Sequence, residues 1–347
     1  MMLKGLARTA LVLIVIVTAS GAALGWFVWR EMQQPLAIPE EGIVYEVKEG
    51  ATLRSLARDL KRQGLLPNPW YFEIWARWVE PGTAIKRGEY FLAEGSTIAD
   101  LLREFRHGVP VQHKLTIVEG SRFTDVVAQL QKAIEAGLMK RVIEPDRYAE
   151  VFTEMTGEAS PEGWIFPDTY HFPKGQTDKG FLRQAWQRMK ETLARAWAQR
   201  QPDLPLKTPY EALILASIIE KETGAAEERP QIGGVFINRL KKGMKLQTDP
   251  TVIYGMGDSY KGNIRKKDLR TDNPFNTYTR KGLPPTPIAM PGEAAIMAAV
   301  QPAETDALFF VARGRGRHHF SATYKEHKQA VIKYLLGGNA SRYRGDD

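Results

Sequence analysis

No charged residue interrupts the run from Ala10 to Trp29. That stretch constrains the fold more than any other. As a helix it reaches about 30 Å, the thickness of a bilayer's hydrocarbon core. Lys4 and Arg8 precede it, and Arg30 with Glu31 follows. The basic flank belongs on the cytoplasmic side, so the chain beyond Arg30 is expected to face outward. Trp26 and Trp29 fall at the height of an interfacial aromatic belt. The competing reading is a cleaved signal peptide, because small residues are frequent from Thr18 to Ala23. The apolar run continues through Leu24, Trp26, Phe27 and Val28, longer than a signal core requires. The expectation is a cytoplasmic tail at 1–9, an uncleaved single-pass anchor at 10–29 and a linker at 30–42.

The 347 residues are 43% hydrophobic and 25% charged, which suits a globular chain of two or three domains. There is no cysteine. Disulfides, thiolate zinc sites, thiol catalysis and a lipid anchor on Cys are therefore excluded. A net charge of +8 is compatible with anionic lipid, an acidic polymer or nucleic acid and does not choose among them.

Past the linker one pattern occurs three times. Val47-Lys-Glu-Gly50-Ala-Thr-Leu53-Arg-Ser-Leu56 matches Leu92-Ala-Glu-Gly95-Ser-Thr-Ile98-Ala-Asp-Leu101, and Val118-Glu-Gly120-Ser-Arg-Phe123-Thr-Asp-Val126 is a third copy. Each reads as a strand end, a glycine turn and a helix with apolar residues at i and i+3, extended to i+7 by Leu60, Phe105 and Leu130. The first two copies resemble LysM-like strand–helix–helix–strand modules, which bind glycan. A spacer without ligand fits them equally well. Further helices are expected near 121–137, 178–200, 209–223, 229–242, 292–300 and 323–336, a hairpin over 307–323, and long loops between 244 and 291.

The segment Leu213 to Gly224, LILASIIEKETG, poses the chemical question. Thr208 is an N-cap, Pro209 suits the first helical position, Glu211 completes a capping box and Gly224 is a natural terminator. Apolar residues cover every azimuth, so the helix should be buried. Glu220 then stands in its last turn on an apolar, partly small face. Desolvation and the helix C-terminus both disfavour its ionised form, as a general acid requires. The alternative is an ordinary solvated terminal turn shared with Lys221, Glu222, Glu227 and Glu228.

Several segments downstream and upstream, in order, carry a specific likeness. EGWIFPDTYHF, LASIIEKETG, FINRL, LQTDPTVIYG and FNTYTRKGLPPTPI resemble the MltG (YceG-like) endolytic murein transglycosylases over roughly residues 40–340. The resemblance implies cleavage of peptidoglycan at the MurNAc–GlcNAc bond to leave 1,6-anhydro-MurNAc ends, with Glu220 as the catalytic acid. It implies a terminator of nascent strands, anchored in the inner membrane and facing the periplasm. Its partners would be glycan strands, the membrane and penicillin-binding synthases, without nucleic acid. No cofactor or metal is implied.

One carboxylate suffices for such a reaction, because the C6 hydroxyl of MurNAc replaces the second group a glycosidase needs. Asn238, Gln247, Thr248, Asp249, Asn276 and Tyr278 are the expected substrate contacts. Asp249 taken alone reads first as an Asx turn before Pro250, while Tyr278 reads equally as core packing and Asn238 as a structural cap. Trp164, Phe166 and Tyr170 read as packing. The expected architecture is α+β: the anchor, a LysM-like α/β subdomain at 43–109, a mixed α+β catalytic domain at 110–340 and a tail at 341–347. Two other functions fit the same residues: a hydrolytic muramidase with Asp249 as base, and a non-catalytic glycan-binding scaffold. No zincin, serine-elbow, penicillin-binding, P-loop or dinucleotide motif is present.

Overall fold

A computed structural model describes residues 2–78 and 84–343, with side chains from Leu11 onward. The expected tail at 1–9 and residues 344–347 of the expected C-terminal tail lie outside the described side chains. The chain divides into two units, Met1–His113 with Phe172–Gly175, and Lys114–His171 with Gln176–Asp347.

The first unit begins with α1 (Met2–Met32). Its segment Leu11–Met32 is long and apolar enough to cross a membrane, and its large apolar side chains from Leu11 to Trp29, Val28 apart, stand exposed. The helix is compatible with a single-pass anchor. It runs past Trp29 because Val28 and Met32 find partners in the unit's own core, where Met32 is fully buried. Leu36 and Ile38, within the expected linker, are buried there too, and the Leu36 N–H donates to the Ser96 carbonyl at 2.9 Å. The tether is therefore docked along its apolar residues.

Next come β1 (Ile43–Val47), α2 (Leu53–Arg62), α3 (Pro69–Trp78), β2 (Gly88–Leu92) and α4 (Ile98–His107). β1 and β2 pair antiparallel, with Tyr45 opposite Tyr90. The strand–helix–helix–strand order is the one the sequence pattern predicts. Alternation along the strands buries Tyr45, Val47, Tyr90 and Leu92 and leaves Val44 and Phe91 exposed.

All three repeats share one local geometry. Gly50, Gly95 and Gly120 have φ of 74°, 76° and 76°, a conformation open to glycine without a Cβ penalty. Thr52 and Thr97 then cap their helices, in reciprocal pairs with Ser55 and Asp100. In the third copy the cap works differently, since the Asp125 carboxylate accepts the Arg122 N–H at 2.8 Å.

Along the chain follow β3 (Gln112–Thr116) and β5 (Thr169–Pro173), each divided between the two units, and within the second unit α5 (Phe123–Glu135), β4 (Met139–Lys140), α6 (Tyr148–Thr156), β6 (Gln176–Thr177) and α7 (Asp178–Ala198). Then follow α8 (Pro209–Glu222), α9 (Arg229–Lys241), α10 (Asp249–Met256), α11 (Lys266–Arg270), α12 (Glu293–Val300), β7 (Phe309–Gly314), β8 (Arg317–Ser321) and α13 (Tyr324–Tyr334). The α+β class is as expected. Trp164, Phe166 and Tyr170 are buried, as the packing reading requires. The stretch 244–291 departs from the expectation of loops alone, because α10 and α11 lie within it. Both are short and polar at one end, so neither leaves an apolar period to read.

α8 sits at the centre, in contact with α7, α9, α10 and α12. Its residues Ala212 to Ile219 are all buried, which explains the absence of a polar face. The glycine pair of α9 permits the close packing. A Cβ on Gly233 would lie 2.3 Å from the Ala298 carbonyl oxygen, and one on Gly234 would lie 2.6 Å from that of Ala303.

Candidate active site

The ends of α8 place its carboxylates. Thr208 Oγ1 accepts the Glu211 N–H at 3.2 Å, so the N-cap is as predicted. The capping box is not completed: the Glu211 carboxylate accepts from Lys207 N–H, one residue before the cap. At the other end Thr223 turns extended, with φ −143° and ψ 137°, and Gly224 is not needed in a left-handed conformation. The helix thus stops directly after Glu220, Lys221 and Glu222. Two positions on a helix are about 200° apart, so Glu220 and Glu222 leave α8 on opposite faces.

Glu220 points into protein. Its side chain is 5% exposed. Arg229 Nη2 donates to Oε1 at 2.8 Å, and the Gly292 N–H, at the N-cap of α12, donates to Oε2 at 3.0 Å. Arg229 also reaches Glu119 at 3.4 Å, and Gly120 of the third turn packs beside the Glu220 side chain. Burial holds the carboxyl above the ordinary glutamate range, and the nearby Glu119 adds to this. The Gly292 N–H and the Arg229 cation oppose it without cancelling it. The site therefore makes this carboxyl harder to ionise than an ordinary glutamate, yet supplies a donor to each oxygen of the carboxylate. The solvated-turn alternative does not describe Glu220.

Glu222 faces a groove of about 510 Å³, whose walls include Asp249, Tyr278, Phe309, Tyr324 and His327. Thr248 Oγ1 donates to its Oε2 at 3.0 Å. Burial first, and then the neighbouring Asp249 charge, push this carboxyl up to about 7, against the pull of Thr248 and Arg239. Sequence reasoning passed over Glu222 as a solvated end residue. It also passed over Arg229, although a cation in the first turn of a helix runs against the macrodipole and calls for a partner.

The predicted contacts separate into two groups. Gln247 and Asp249 line the Glu222 groove with Tyr278, and Thr248 stands behind them. Tyr278 Oη donates to Asp249 Oδ1 at 2.6 Å. Asp249 opens α10 with Pro250 in the first turn, so the Asx-turn reading gives way to a helix start. Gln247 has φ 51°, held by its N–H on the Thr277 carbonyl at 3.2 Å. Asn238 and Asn276 are engaged elsewhere. The Asn238 amide donates to the carbonyls of Thr305 and Ala307 at 2.7 and 3.2 Å. The Asn276 amide spans the carbonyls of Asp268, Leu269 and Thr271, and its oxygen accepts the Tyr278 N–H at 2.9 Å. Asn276 thereby positions Tyr278 from behind.

This arrangement has relatives. The YceG-like family profile matches residues 45–333. A protein of Bacillus subtilis described as an endolytic murein transglycosylase is 29% identical over 310 residues, covering 84% of this chain and 85% of its own length. One of Streptococcus pneumoniae with the same description is 26% identical over 321 residues, covering 83% of this chain and 58% of its own. The crystal structure of a yceG-like protein from Listeria monocytogenes superposes with a TM-score of 0.53 at 25% identity, over 84% of this chain and 99% of the other. The match runs from the first strand to the last helix, and by it the chain belongs to the YceG-like family.

Proposed function

We propose that this protein is a lytic transglycosylase that cuts peptidoglycan glycan strands, with Glu220 as the proton-exchanging group. The observation that carries the reading is a carboxyl at the end of a buried helix, raised by desolvation and provided with a donor for each oxygen. The names of the bacillar and streptococcal relatives support the substrate class.

Protonated Glu220 gives its proton to the glycosidic oxygen as the C1–O bond breaks. Arg229 and the Gly292 N–H then hold the carboxylate. That carboxylate accepts the proton of the MurNAc C6 hydroxyl as O6 closes on C1. The proton borrowed is returned, no water is consumed, and the product end is a 1,6-anhydro ring. Because the nucleophile belongs to the substrate, proximity replaces a second carboxylate.

The finer assignments belong to the same proposal: cutting of nascent strands at the periplasmic face of the inner membrane, termination of elongation, a glycan contact through the strand–helix–helix–strand unit, and association with penicillin-binding synthases. The test is incubation of the full chain in detergent with uncrosslinked glycan strands, product ends being read by mass spectrometry. Anhydro ends support the reading. Reducing ends identify a hydrolase. The positions bear on that alternative, since Asp249 neighbours Glu222 through Thr248 and Tyr278, whereas Glu220 contacts Arg229 and Gly292.

A further inference from the structure

Trp70 and Trp78 of α3 are 71% and 82% exposed. With the half-buried Ile74 they recur every four residues, each turned about 40° from the last, and so form one stripe along the helix. The opposite side of α3 is the packed one. Phe72 and Ala76 are buried there in the core of the first unit, and Tyr71 and Trp75 pack at its edge. At the other margin of the stripe Arg77 pairs with Glu73 at 3.6 Å. The helix is therefore apolar over a wider arc than its contact with the core requires.

The place of this stripe follows from α1. A bilayer core takes about 20 helical residues, and from Leu11 that length ends near Arg30. Val28 and Met32, on either side of Arg30, pack into the core of the same unit, and α1 contacts α3 directly. No spacer separates the span from the unit, so with Leu11–Met32 in a bilayer the unit begins at headgroup depth. Trp26 and Trp29 stand exposed at that level, with the Arg30 guanidinium 5.8 Å from the Trp26 ring. Indole joins an apolar face to an N–H donor and concentrates where hydrocarbon meets water. Val44 and Phe91, paired across β1 and β2, are exposed too. They point away from the helices, because Tyr45 and Tyr90 on the other face of the sheet pack against Phe105 of α4.

We propose that the stripe formed by Trp70, Ile74 and Trp78 is a second membrane contact, lying in the headgroup region of the bilayer that α1 crosses. The inference rests on the membrane anchorage proposed above and adds a surface to it. α1 holds the first unit near the lipid, and α3 sets which side of that unit faces the lipid.

The chain has no cysteine, so one introduced thiol carries a single nitroxide label. Full-length protein is labelled separately through Val17→Cys in the span, Arg77→Cys beside the stripe and Val44→Cys on the sheet. Each is reconstituted in phosphatidylethanolamine–phosphatidylglycerol vesicles. Collisions of the label with oxygen, which partitions into lipid, are compared with those of a water-soluble nickel chelate. The ratio of oxygen to nickel collisions should be high in the span, and several-fold higher beside the stripe than on the sheet. Trp70→Ser/Trp78→Ser should bring the label beside the stripe down to the sheet value. Both indoles are exposed, so an unchanged melting temperature is the control for folding. A lipid-like value in the span with a water-like value beside the stripe would overturn the contact and leave the anchor standing. A water-like value in the span would overturn both. A label beside the stripe that meets neither collider would place a protein partner there and overturn the lipid contact.

Discussion

Arg229 and burial pull the Glu220 carboxyl in opposite directions, and single substitutions separate them. Arg229→Met leaves burial unopposed by a cation. The alkaline limb of the pH–rate profile should then move to higher pH, with a lower maximal rate because the carboxylate loses its counter-ion. Rate measurements from pH 5 to 9 check this. Glu162 is a second buried carboxyl, pushed up to about 7 by desolvation and holding Phe123 N–H and Tyr254 Oη at 3.0 Å each. The folded state therefore binds its proton more tightly than the unfolded chain does. Stability should fall as pH rises from 4.5 towards 7, by roughly 3 kcal/mol from this group. Glu162→Gln should flatten that part of a melting-temperature profile. At this scale the burial of Glu220 was legible from helix position. Arg229 and Gly292 were not, because they come from other elements that a local period does not align, and Thr248 was expected as a substrate contact rather than as a donor to Glu222.

At the scale of elements, caps and periodicity were readable because they are local. The ends of α7, α8, α9, α12 and α13 fall within two residues of expectation. α10 and α11 were missed because five to eight residues with mixed polarity carry no face. The Gly-Gly pair of α9 has no local reason in the sequence, and its reason is a contact 65 residues away: Gly233 lies against the Ala298 carbonyl. Gly233→Ala should push α9 from α12 and cost about 1–3 kcal/mol, measured by denaturant unfolding. Since the Glu220 hydrogen bond comes from Gly292 at the start of α12, the same variant should also lower activity.

For the whole molecule, the N-terminal segment packs into the first unit as well as carrying a helix long and apolar enough to cross a membrane. Met32, Leu36 and Ile38 are in its core, so cutting at residue 40 removes buried apolar surface. A chain beginning at residue 31 should unfold at a higher temperature than one beginning at residue 40, with a difference of several kcal/mol. Differential scanning calorimetry of the two truncations decides it. The sequence announced the apolar helix because one bilayer length of uncharged residues is a global signal. The docking of the following segment depends on pairing with Ser96 and on a core assembled from distant residues, which a prolines-and-acids composition conceals.

The most direct test of the account is digestion of uncrosslinked glycan strands by the full chain beside Glu220→Gln, with product ends read by mass spectrometry. The prediction is anhydro-MurNAc ends from the unaltered protein and none from the variant, at equal melting temperature. Anhydro ends from both would contradict it and place the catalytic group elsewhere, with Glu222 the next substitution.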